Sequence, residues 1–286
     1  MNSTWLTALA FAIYLAAAVC YGAFLFLRAP SAPTALPDAN VPMSVARCGR
    51  PLLLAALAIH FLAIGAHCMA TRRSPFASEF GTLSVAAWII ALVFAAFDLR
   101  VRLPAVGAVA LLLASLLLSW GLAHARGPVA PTPALKGHLV TLHVLAILAS
   151  FALFVLAFGC AMLYLVQNRL LKARNIKGLF RRLPPLETLD SVAYHAVAVA
   201  LPLLTVGLAL GILRAIEGGV SGSPQRSWLL DAHTLASIGT WFLYVVYLAA
   251  RLLTGWRGVR LQYILIVGLF VALALYFVPS SMHQFL

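Results

Sequence analysis

LVTLHVLAILASFALFVLAFGCAMLYLVQ, residues 139–167, contains no Lys, Arg, Asp or Glu. Wound as a helix at about 1.5 Å per residue, it is more than long enough to cross a hydrocarbon core of about 30 Å, with length left to tilt or to reach the interface. No strict apolar–polar alternation breaks it, and the run LLLASLLL (111–118) shows none either. A membrane β-barrel needs that alternation. Inside lipid the backbone has no water to bond, so the helix is the form that satisfies it.

Outward from this segment the same pattern repeats. Apolar stretches fall at about 4–27, 51–69, 82–97, 103–123, 139–167, 192–213, 233–250 and 261–278. The third is the shortest and the fifth the longest. Only 9% of the 286 residues are charged and 63% are hydrophobic, with a mean hydropathy of +1.00. A soluble domain carries roughly a quarter charged residues. The expected fold is therefore all-α, a polytopic membrane bundle of about eight transmembrane helices, with residues 1–286 forming a single transmembrane helical domain. Met1 to Thr4 carry no positive charge ahead of a long apolar run. The first segment is accordingly expected to be a retained span and not a cleaved signal.

The net charge of +13 would suit a nucleic-acid binder, but its distribution suits a membrane. Lys and Arg in the loops at 28–50, 98–102, 168–191 and 251–260 number 14 of the 20, and the alternate loops hold 6. That alternation follows the positive-inside rule and places both termini on the outer side. Membrane lipid is thus the expected surround, and no nucleic-acid partner is implied. The loops RAPSAPTALPDANVPMSVARCGR (28–50) and GPVAPTPALKG (127–137) read as irregular. In LKARNIKGLFRRLPPLETLD (171–190), Pro184 and Pro185 stop one element, and Glu187 and Asp190 precede the next span, where acids suit a helix N-terminus.

Several chemistries are missing. All seven acids fall in loops or at span ends, and no Lys or Arg sits deep in a span, whereas ion-coupled transport ordinarily uses a buried ionisable relay. No GxSxG, HExxH or GxxxxGK[ST] occurs. Cys20, Cys48, Cys68 and Cys160 form no CxxC or CxxCH, so neither dithiol exchange nor covalent haem attachment to this chain is implied. No independent catalytic activity follows from the motifs.

The histidines carry the information. His67, His124, His138, His233 and His283 lie at or beyond the outer boundary, and His143 lies about one turn inside it. His60 is deeper in the second span, and His195 stands near the inner start of the sixth. A polar ring in lipid needs a partner. His67, His124, His138 and His283 read as interfacial or helix–helix hydrogen-bonding residues. His60 and His143 are the candidate intramembrane ligands, because a neutral imidazole is a standard axial ligand of haem iron and helix bundles hold such groups between facing helices. His195 and His233 rank behind them, one at each face. Trp228 and Asp231 precede His233 and otherwise suit an aromatic belt and a helix cap.

Taken together, HVLAILASFALFVLAFGCAMLYLVQNRLL, LPPLETLD (183–190), YHAVAVALPLLTVGLALG (194–211), TWFLYVVYLAARLLTGWRG (240–258) and the YF at 276–277 resemble the cytochrome c assembly protein family. That is the CcsA/CcmC/HemX group, and the likeness is to its HemX/YpjD-type branch. It covers the C-terminal half; the first half matches in span spacing and in His60. The resemblance implies an eight-span protein of a bacterial inner membrane that binds haem b. Its role would lie in cytochrome c maturation or haem supply, with a protein partner in that pathway. It also implies that His60, His143, His195, His233, Trp228 and Asp231 are the cofactor-binding positions, with iron on His60 and His143. The family's Trp-rich outer segment is reduced here to SWLLDAH (227–233). A haem-free membrane scaffold regulating a transporter or a tetrapyrrole-synthesis enzyme is the alternative.

Overall fold

A computed structural model describes residues 3–26, 40–124, 138–174, 178–219 and 232–277. The described residues are almost entirely helical: α1 (Ser3–Phe26), α2 (Asn40–Thr71), α3 (Glu79–Val101), α4 (Pro104–Ala123), α5 (His138–Lys172), α6 (Leu186–Gly219), α7 (Ala232–Leu253) and α8 (Val259–Phe277). Short 3₁₀ turns at Pro75–Ala77 and Gly178–Arg182 lead into α3 and α6. Among the described residues seven helices are long and apolar enough to cross a membrane, and α8 is apolar over the shorter Val259–Ala274. The chain is thus an all-α polytopic bundle, as its hydropathy requires.

Local chemistry sets the ends. Ser78 caps α3, its hydroxyl accepting from the Gly81 amide at 3.1 Å, so the helix starts before the apolar run does. Arg102 closes α3 in the left-handed region at φ +50°, and Pro104 opens α4 two residues later. Pro185 stands just before α6, as the sequence suggests. Two prolines behave otherwise: α2 runs through Pro51 and α6 through Pro202. The stretch 40–50, expected to be irregular, is therefore helical. Within a bundle, neighbouring helices and side chains can re-satisfy the backbone groups that a proline frees.

Pairs α1–α2 and α5–α6 make the broadest contacts, with α1–α4, α3–α4, α5–α8 and α7–α8 completing the bundle. The core is one continuous cluster reaching from Tyr14, Tyr21 and Phe94 to Phe154, Tyr244 and Tyr247. Phe154 and Tyr244 stack at 3.7 Å between ring centroids, and Phe158 meets Phe270 edge-on at 6.1 Å. Arg100 and Arg102 at the α3–α4 connection, Arg169, Lys172, Arg174, Arg181 and Arg182 at the α5–α6 connection, and Arg251, Arg257 and Arg260 at the α7–α8 connection form the basic end. The opposite end holds His67, His124 and His138.

Candidate functional site

On α6, Gly207 and Gly211 stand one turn apart on the face turned to α5. A Cβ on Gly207 would lie 2.7 Å from Ile147 Cδ1, and one on Gly211 would lie 2.8 Å from His143 Cε1. This is the small-xxx-small packing of membrane helices, in which missing side chains let backbones approach. The notch it leaves is filled by the half-buried His143 ring, whose Nδ1 lies 2.7 Å from the Gly207 carbonyl. A carbonyl can only accept, so Nδ1 carries the proton and Nε2 keeps its lone pair. Nε2 has no partner among the described residues. A ring fixed through Nδ1–H with Nε2 open is the arrangement metal-ligating histidines adopt.

His60 is placed differently. It is fully buried between α1 and α3, with Nε2 2.8 Å from the Ser84 hydroxyl and Nδ1 3.3 Å from the Tyr14 hydroxyl. Both nitrogens are occupied, so coordination by His60 requires giving up Ser84 or Tyr14. Its ring partners come from α1 and α3, whereas those of His143 come from α6; no ring partner is common to both histidines. His195 is exposed on α6, its Nδ1 held by the Ser191 carbonyl at 2.7 Å, and it lines an open groove of about 650 Å³ with Arg100 and Glu187. His233 lies in the first turn of α7, while Trp228 and Asp231 lie outside the described residues, as does His283.

Two more histidines pack against aromatic rings. The His67 ring meets Phe80 edge-on at 5.2 Å, and His124 stacks on Trp120 at 4.1 Å with Nδ1 bonded to the Trp120 carbonyl. Among the described residues no group of three or more His, Cys, Asp or Glu side chains gathers to hold a bare metal ion. An axial imidazole on a macrocycle needs no such group.

The basic end contains what the sequence did not reveal. Asp98, at the end of α3, is buried; it accepts from Arg50 Nε at 2.7 Å, from the Leu103 amide at 2.8 Å and from the Tyr21 hydroxyl at 3.3 Å. Arg50 Nη2 also bonds the Asp98 carbonyl. Asp190 stands inside α6 and not ahead of it. It pairs with Arg251 of α7 at 2.7 Å and accepts from Gln262 of α8 at 3.0 Å, while Arg251 lies 4.8 Å from the centre of the Tyr194 ring. These ion pairs tie α1–α2–α3 and α6–α7–α8 at one end. Ser84, Tyr14 and the two ion pairs carried no sequence signal, because partners 24 to 77 residues apart meet only through packing. The glycine notch did carry one: GLALG at 207–211.

Comparison with known proteins fits this architecture. The model of the family described as cytochrome C assembly protein matches residues 51–286. Cytochrome c biogenesis protein CcsA of Heterosigma akashiwo is 24% identical over 255 residues, 74% of this chain and 76% of that protein. CcsA of Guillardia theta is 29% identical over 178 residues, covering 54% and 56%. Protein HemX of Bacillus subtilis is 29% identical over 152 residues, 53% of each chain. The matched region is thus little more than half the length of the last two relatives. Because the family match takes in all of α3 to α8 and most of α2, the chain belongs to the cytochrome c assembly protein family.

Proposed function

We infer that this protein is a multi-pass protein of a bacterial inner membrane that binds haem b in the service of cytochrome c biogenesis, using His143 as an iron ligand. The observation that carries the reading is the His143 ring itself, seated in the Gly207–Gly211 notch with Nδ1 pinned and Nε2 open. The names of the relatives, two of them cytochrome c biogenesis proteins, support the pathway. Haem is cargo in this account: an imidazole holds its iron until a pathway partner takes it. The protein's own contribution is to fix the ring, shield it from water and keep the site at the end of the bundle opposite the basic loops.

A second residue to hold the iron would come from the same end. α8 packs antiparallel to α5: Phe270 meets Phe158, whereas Gly258, before α8, lies beside Tyr164. Its described C-terminal end, Phe277, therefore runs toward the His143 end of α5, and His283 follows six residues later in the sequence. His283 and His233 are the partners we assign for testing, with Trp228 and Asp231 in the segment before His233. His60 serves as a ligand only by exchanging Ser84 or Tyr14, and His195 belongs to the other end.

The test is an absorption spectrum of the detergent-purified protein, oxidised and dithionite-reduced, before and after adding haem. Near-stoichiometric b-type bands that fall in His143→Ala and in one of His233→Ala or His283→Ala support the reading. Folded protein with no Soret band after haem is supplied overturns it. That result would favour the scaffold reading, with which the two hydrogen bonds of His60 already agree.

A further inference from the structure

The groove beside His195 is built unlike the rest of the surface. Its walls come from α3 and α6 alone, although both helices pack on α5. At the basic end it is lined by Arg100 and Glu187, both exposed and neither with a hydrogen-bond or ion-pair partner among the described residues. Along α6 the lining continues past Ser191 and His195 to Val199, with Phe97 on the opposite wall. From Glu187 to Val199 is twelve residues, about 18 Å of helix. One leaflet of the hydrocarbon core is about 15 Å deep, so the α6 wall is long enough to run from headgroup level through most of a leaflet, while the α3 wall, Phe97 to Val101, covers about 6 Å of it.

Its charge selects an occupant. A purely anionic headgroup would meet Arg100 but also the Glu187 carboxylate. Two propionates of a tetrapyrrole face the same conflict. A headgroup with a phosphate and a primary ammonium satisfies both walls: phosphate on Arg100, ammonium on Glu187, with an acyl chain along Phe97 and Val199. We propose that this α3–α6 groove is a binding site for a phospholipid of the phosphatidylethanolamine class.

Native mass spectrometry of the full chain in mild detergent tests it, with phosphatidylethanolamine and phosphatidylglycerol of identical acyl chains added in equal amounts. The wild type retains the ethanolamine lipid in preference. Glu187→Gln lowers that preference by about threefold, the scale of one partly exposed charge contact. Val199→Trp, which fills the apolar part, lowers retention of both lipids. Monodisperse elution and an unchanged melting temperature confirm that each variant is folded, and Arg100→Gln gives a second variant, expected to lower retention of both lipids. Equal retention of the two lipids by the wild type overturns the proposal, as does Val199→Trp without effect. Displacement of lipid by added haem in the wild type but not in His195→Ala assigns the groove to a tetrapyrrole and also overturns it. The haem site at His143 stands or falls separately.

Discussion

Gly211→Ala places one methyl group against the ring on which the proposed function rests. The new Cβ would lie 2.8 Å from His143 Cε1 and 3.0 Å from Nδ1. Carbon pairs settle at about 3.5–4.0 Å, so the ring must retreat by about 0.7 Å. The Nδ1–Gly207 bond at 2.7 Å then stretches past the useful limit of about 3.2 Å. A lost hydrogen bond costs about 1 kcal/mol and overpacking about 1–3 kcal/mol. Relief is available because the ring ends a rotatable side chain, so the lower end of that range, about 1 kcal/mol, applies and the sum is about 2 kcal/mol. The same change at Gly239, where a Cβ meets nothing within 4 Å, supplies the control. There, helix propensity favours alanine by roughly 0.5–1 kcal/mol. Thermal unfolding in one detergent should therefore separate the two variants, with Gly211→Ala melting below wild type and Gly239→Ala at or above it. Haem titration should show Gly211→Ala weakened about tenfold, as when the hydrogen-bond partner of a metal-ligating histidine is removed. Two variants equally stable, with superimposable titrations, would refute the packing argument.

Asp190→Leu alone leaves the Arg251 guanidinium, 11% exposed, without its carboxylate; we expect a loss of about 3 kcal/mol in chemical unfolding, largely recovered in Asp190→Leu/Arg251→Met. Arg50 is 31% exposed, so Asp98→Asn should cost less, about 1–2 kcal/mol, and the deficit should be smaller than that of Asp190→Leu in the same assay. Ser84→Ala removes one partner of a fully buried ring and should cost about 1 kcal/mol while leaving the haem content per folded protein unchanged. A rise in haem content in that variant would instead make His60 the ligand, freed from its hydroxyl.

Reading the chain alone recovers the class of fold because lipid imposes it: uninterrupted runs such as 139–167 leave no other structure. Helix ends were less legible. Pro51 reads as a start by local rules, yet α2 continues through it from Asn40, with Arg50 turned toward Asp98. Asp190 reads as a helix-start acid, but its position inside α6 brings it to Arg251 and Gln262, which come 61 and 72 residues later. Charge pattern shows which residues are acidic, not which cations packing will bring to them. The histidines divide in the same way. His60 and His143 both read as intramembrane ligands in the sequence, and only their neighbours separate a ring with two hydroxyl partners from a ring with one nitrogen open.

The central claim is that His143 Nε2 holds iron. Its most direct test is chemical rescue: His143→Gly is purified, supplied with haem and then titrated with imidazole, with pyridine haemochrome content and Soret position as readouts. The account predicts a folded variant that loses its b-type bands and regains them as free imidazole enters the notch beside Gly211. A variant that keeps wild-type haem spectra without imidazole would contradict it.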